Sequence, residues 1–169
     1  MDSEQLKALT TKDPYLKKYS CLIIAENELP RTLQPNTGYF VLLPGKRKNV
    51  GHWILIESFG PLSSCFNYWD PLGTTPPTII HEKLLTAGLL YESSVFINSY
   101  VWQPPGTVVC GPICVYIALL RSRNCSPGII LQQKNSGNAR TDIIIIVDIV
   151  NSLLPKKFPK VPRFSLDFV

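Results

Sequence analysis

His52-Trp-Ile-Leu-Ile-Glu-Ser58 and Cys65-Phe-Asn-Tyr-Trp69 are two short runs rich in β-branched and aromatic residues. Between them, Phe59-Gly-Pro-Leu-Ser-Ser64 supplies turn formers, so the stretch reads as an antiparallel hairpin. In a hairpin the start of the first strand lies near the end of the second. His52 is therefore expected beside Asp70, although 17 residues separate them in the chain. Asp70 opens Asp-Pro-Leu-Gly73, a turn sequence.

Downstream of the hairpin, Gln103-Pro-Pro-Gly-Thr-Val-Val-Cys110-Gly-Pro-Ile-Cys114 carries loop signals into an apolar run. Ile113, Ile117 and Leu120 recur at helical spacing and Pro112 suits a first turn, which predicts a helix over Cys110–Arg121. Upstream, Tyr19–Ile24 and Tyr39–Leu43 read as strands. Residues 3–10 read as a short helix capped by Ser3 and stopped at Asp13-Pro14. Further helices are expected from Ile79 to Leu90, closing near Gly88, and from Ile143 to Leu154, capped by Thr141-Asp142 and ended by Pro155. Val95–Trp102 reads as a strand leading into the Gln103 loop, and Ser126–Ala139 as loop or weak helix. The resulting class is α+β: a central mixed or antiparallel sheet with flanking helices.

The chain has 169 residues, a length that fits one domain over 1–169, with 155–169 as an irregular Pro-rich tail. Apolar residues make up 45% and charged residues 17%, a globular and not a disordered balance. The net charge of +5 permits contact with nucleic acid without requiring it. The polar start, Met1-Asp-Ser-Glu-Gln-Leu-Lys, shows no secretory leader, and the apolar run Ile143–Val150 is interrupted by Asp148 and too short to cross a bilayer. Five cysteines at irregular spacing are expected as reduced thiols in an intracellular chain with no membrane contact. Only two histidines are present, and no Cys/His set has metal-ligand spacing.

The candidate chemistry is carried by four side chains in the order His52, Asp70, Gln103, Cys110. A thiol attacks an acyl carbon as the thiolate, and a free thiol titrates at about 8.5, so it needs help at neutral pH. Cys110 has two sources of help: a helix N-terminus and an imidazolium from His52. Asp70 would orient the ring, and the Gln103 side-chain N–H, with the Cys110 backbone N–H, would meet a developing oxyanion. Taken singly, each residue has an ordinary explanation: a buried thiol, a strand histidine, a turn aspartate, a loop glutamine. Cys21, Cys65 and Cys114 read as small hydrophobes of that ordinary kind, and His81 as a solvated helix residue. The signal is the joint order.

These residues together resemble the adenovirus-type cysteine protease family, adenain, and the related proteases of adenovirus-like viruses and Maverick/Polinton elements. The likeness runs over about residues 3–121: Ser3-Glu-Gln-Leu-Lys-Ala, Gly51-His52-Trp53-Ile, Trp69-Asp70-Pro71-Leu72-Gly73, Gln103 and Cys110-Gly111-Pro112-Ile113-Cys114. A gap of seven from Gln to Cys is similar to adenain, whereas SUMO-type proteases of the same clan usually have six. The resemblance implies Cys110 as nucleophile, His52 as general base and acid, Asp70 as orienter and Gln103 as oxyanion donor. It implies a monomer that cleaves viral capsid or core precursors beside glycine during particle maturation, in the host nucleus and the virion. It also implies an activating peptide and DNA as cofactors, though nothing in the residues themselves requires either. For DNA, Lys46-Arg47-Lys48 and the tail cations Lys156, Lys157, Lys160 and Arg163 are available to phosphates. For the peptide, the family's disulfide has no counterpart, since no cysteine stands between Cys65 and Cys110. An isopeptidase acting on ubiquitin-like modifiers, a non-catalytic domain binding nucleic acid or capsid protein, and an acyl transferase of the same clan stay open at this point.

Overall fold

A computed structural model describes residues 1–45, 51–59, 65–84, 94–104, 106–132 and 139–162. A five-stranded mixed sheet runs in the order β1 (Cys21–Ala25), β2 (Thr37–Pro44), β3 (Gly51–Phe59), β4 (Cys65–Trp69), β5 (Ser94–Ile97). The three central strands form an antiparallel meander, and β1 and β5 add in parallel at either edge. The class is therefore α+β, as the sequence predicts.

Side chains alternate across the pleat, and here both faces are covered, so β3 reads as one continuous apolar run. Trp53 and Leu55 face one core with Phe40 and Trp69. That core holds Leu6 and Leu9 of α1 (Ser3–Lys12), Leu16 of α2 (Pro14–Lys18), most of α4 (Cys110–Ser122), Ile130 of α5 (Pro127–Gln132), and Ile143, Ile146, Val147 and Val150 of α6 (Ala139–Leu153). Ile54 and Ile56 face the other, with Tyr39, Val41, Phe66, Tyr68 and the Ile80 and Leu84 side chains of α3 (Thr78–Leu84).

The helix α4 is buried nearly all round, beyond the stripe its periodicity predicts: Ile113, Cys114, Val115, Ile117 and Ala118 are fully enclosed. Pro112 sits in its first turn, where a missing N–H is harmless. Its end is a Schellman motif: Asn124, at φ 63°, donates to Arg121 O, and Cys125 N donates to Leu120 O. From its last turn Arg121 reaches back to β3, where its Nε lies 3.1 Å from both carboxylate oxygens of Glu57. Asn67 Nδ2 and Trp69 Nε1 donate to the same carboxylate at 2.8 and 2.7 Å.

Several expected boundaries move. The cap of α1 is Asp2, not Ser3, because Asp2 and Gln5 form a reciprocal capping box. Asp13 ends α1 and at once caps α2, with Pro14 in the first turn; this second helix is missing from the sequence reading. β5 stops at Ile97 instead of running to Trp102, because the Asn98 side chain turns the chain inward. Thr141 and Asp142 lie inside α6, which starts at Ala139. Gly88, the 60–64 turn, the basic loop 46–50 and Arg163 lie outside the described residues. The tail is irregular but pinned: Asn151 bonds both the N–H and the carbonyl of Val161, and Gln5 Nε2 bonds Pro159 O. Among the described residues no helix is long and apolar enough to cross a membrane.

Candidate active site

β3 outruns β4. The last register pair is Leu55 with Trp69, so His52 lies past the end of β4, where Asp70 begins the following turn. There His52 Nε2 meets Asp70 Oδ1 at 2.6 Å. The acid is 1% exposed and the imidazole 19%. The carboxylate is held by its own turn as well: Leu72 N donates to Oδ1 at 2.8 Å and Thr74 Oγ1 donates to Oδ2. Asp70 is thus both the turn former and the partner of His52.

Gly73 closes that turn at φ 67°. A Cβ there would sit 2.9 Å from Ser99 O, so the turn packs directly on the segment after β5. Two further ties join these loops. Pro71 O accepts from both Trp102 N and Gln103 N, and the fully buried Asn98 donates through Nδ2 to Asp70 O and Tyr100 O while accepting from Tyr100 N.

Gln103 is 6% exposed, and its Nε2 donates to Thr107 O at 2.6 Å. Thr107 is folded back by bonds from its N–H and hydroxyl to Pro104 O, with Gly106 at φ 77° completing the turn. The carboxamide is therefore fixed by the loop that spaces it from Cys110.

Cys110 is the first residue of α4 and is 7% exposed. His52 and the backbone N–H groups of Trp53 and Gly111 act on its sulfur and favour the thiolate. With Nε2 engaged by Asp70, the ring nitrogen left for the thiol is Nδ1. Burial alone would raise the Cys110 pKa, but the His52 hydrogen bond and charge, with the two N–H donors, outweigh it and lower it from 9.0. Burial alone would lower the His52 pKa, but bonds and charge from Asp70 and Cys110 raise it to about 9. For Asp70, burial raises, and His52, Thr74 and Leu72 N–H prevail in lowering.

All four residues singled out by the sequence are thus brought into one place, with Cys110, His52 and Gln103 opening on one cleft of about 520 Å³. Met1, Leu42, Trp53 and Val108 supply its apolar walls. Met1 is held there by Trp53 Nε1, which donates to its carbonyl at 3.1 Å, and it packs over Gly111, where a Cβ would meet it at 2.9 Å. Sequence reading missed Thr74, Asn98, the Trp53 N–H and Met1. Thr74 had a usable signal, since a hydroxyl just beyond Asp-Pro-Leu-Gly lies within reach of the turn's acid. Cys114 is fully buried, and its Sγ–H donates to Trp53 O at 3.4 Å. His81 is exposed, as expected. All five cysteines are free thiols.

No family model and no curated protein matches the sequence. Among solved structures the chain is similar to the ASFV pS273R protease, with 16% identity and a TM-score of 0.42. The match covers 53% of this chain and 34% of that one, so the chain spans about a third of that protein's length.

Proposed function

We propose that this chain is a cysteine peptidase. The observation that carries the reading is the Asp70–His52–Cys110 line, in which the thiol is pulled below its ordinary pKa and the imidazole is pushed to about 9. A thiolate–imidazolium pair is the resting state such a reaction needs.

In the first step the Cys110 sulfur attacks the carbonyl carbon. A C–S bond forms and the carbonyl π pair moves to oxygen. That oxyanion would be met by the second Nε2 hydrogen of Gln103, the first being committed to Thr107, and by the Cys110 backbone N–H in the first turn of α4. As the oxyanion collapses, the C–N bond breaks and the leaving amine takes the His52 proton. Water then attacks the thioester, giving its proton to His52, and the acid leaves as the C–S bond breaks.

The finer reading is an endopeptidase that matures viral or virus-like capsid and core precursors at glycine-containing sites, working as a monomer in the host nucleus and virion. The resemblance over residues 3–121 supports it. An activating peptide and DNA enter through the same resemblance, and the exposed Lys156, Lys157 and Lys160 offer charge for DNA. The experiment is to incubate the purified chain, with and without DNA, with precursor-derived peptides containing Gly-Gly. Cleavage is expected, and Cys110→Ala is expected to lower it by at least about 10⁴-fold. Cleavage that survives Cys110→Ala, or no cleavage of any such peptide, sinks the reading; exclusive reaction with ubiquitin-like vinyl-sulfone probes would redirect it to an isopeptidase.

A further inference from the structure

Cys114 reads from sequence as a small core hydrophobe, yet it is bonded to the residue that flanks the candidate nucleophile. In an antiparallel ladder the N–H and C=O of one residue point toward the same neighbouring strand. Continued past its last pair, Leu55 with Trp69, the β3/β4 register would place Pro71 opposite Trp53. Pro71 has no N–H to give, and its carbonyl is already turned to Trp102 and Gln103. The backbone of Trp53 therefore loses its strand partner where β4 ends, and a buried backbone group without a partner is costly.

Two thiols of α4 take the place of that strand. Cys110 and Cys114 are four apart and so lie on one helix face. The Trp53 carbonyl accepts from Cys114 Sγ–H at 3.4 Å, and the N–H of the same residue is one of the groups that favour the Cys110 thiolate. Cys114 is fully enclosed. Burial, with the charges of Cys110 and Asp70, holds its pKa well above the ordinary value, so it keeps the proton it donates. The Trp53 ring is fixed in addition by Met1.

We infer that Cys114 is a positioning residue for Cys110: by holding the Trp53 carbonyl it fixes the residue whose N–H stabilises the nucleophilic sulfur. The inference rests on the peptidase reading, but its test uses no substrate. Iodoacetamide labelling of Cys110, followed by peptide mass across pH, reads the thiolate directly. In Cys114→Ala and Cys114→Val, which lack the donor, the Cys110 midpoint is expected to rise and the rate at pH 7 to fall about 3- to 10-fold, the share of one hydrogen bond. Cys114→Ser, which keeps a donor, is expected to stay near wild type.

Equal midpoints in the alanine and valine variants and the wild type would overturn the inference, as would a serine variant displaced as far as either. If the apolar variants do not fold, the S–H stretch assigned to Cys114 from the wild-type minus Cys114→Ser Raman difference decides. A band lowered by hydrogen bonding supports the inference, and an unbonded band overturns it. A wild-type midpoint at the ordinary thiol value would instead count against the peptidase reading itself.

Discussion

β3 carries two acid–base pairs five residues apart, and they are built almost alike. Asp70 with His52 and Glu57 with Arg121 each join an acid that is 1% exposed to a base that is 19% or 15% exposed. Each carboxylate takes further neutral donors: Leu72 N–H and the Thr74 hydroxyl on Asp70, the Asn67 amide and the Trp69 indole on Glu57. Burial and hydrogen bonding therefore do not separate a chemical site from a structural one. The base does. A guanidinium keeps its proton at any relevant pH, so Arg121 can only hold β3 to α4. An imidazole can give its proton up, and His52 has a thiol and a cleft on its other side.

Asp70→Asn would sharpen this contrast most. The amide keeps the shape but no longer favours the imidazolium, and kcat is expected to drop by about 10⁴-fold while the fold survives. Peptide hydrolysis followed alongside a thermal melt checks both halves. A variant that keeps more than a tenth of the activity would mean that Asp70 is only a turn former.

Arg121→Met tests the other pair and should fail in the opposite manner. It leaves Glu57 as an uncompensated buried charge, at a cost of about 3–5 kcal/mol of stability, seen as a fall in the denaturant midpoint. Activity of the molecules still folded is expected to be close to wild type. Loss of kcat in the folded fraction would break the comparison, because it would join the core pair to the chemistry.

The smallest effect is in the pH profile. His52 is raised above its ordinary 6.5 to about 9, so its contribution to stability is complete below pH 6.5 and is lost as the pH rises through about 9. The thiolate–imidazolium pair has the same upper limit, and the alkaline limb of kcat/KM is expected near pH 9. Asp70→Asn should bring that limb down, and Arg121→Met should leave it in place. The two acids also answer acid in opposite senses. Asp70, held below 3.8, loses its contribution as the pH falls through its lowered pKa; Glu57, pushed above 4.5 by burial, adds a cost as the pH rises toward its own.

What the sequence reveals follows from the range of each interaction. The β3/β4 hairpin is legible because composition and turn residues lie together, and the meeting of His52 with Asp70 is then simple geometry. Gln103 and Cys110 are legible because one short loop spaces them. The cap at Asp2 is just as local, but Ser3 offers the same chemistry one residue later, and the reciprocal bond with Gln5 decides between them. Glu57 and Arg121 stand 64 residues apart, and nothing in either neighbourhood announces the other. The early end of β5 depends on Asn98 reaching Asp70 O, 28 residues away, and Cys114 depends on a carbonyl 61 residues away. Local pattern picked out the four groups that the fold brings to one site, and missed the ones that hold them in place.

The knot of bonds around Asn98 and Pro71 has a kinetic consequence. The amide hydrogens of Gly73, Tyr100, Trp102 and Gln103 all end on acceptors within the two loops that carry Asp70 and Gln103. Neither loop can lift away without releasing bonds of the other. In solvent exchange the Trp102 and Gln103 amides, which cross from one loop to the other, are expected to open together, so the carboxylate bonded to the imidazole and the carboxamide that lines the cleft would be kept, or lost, in a single event.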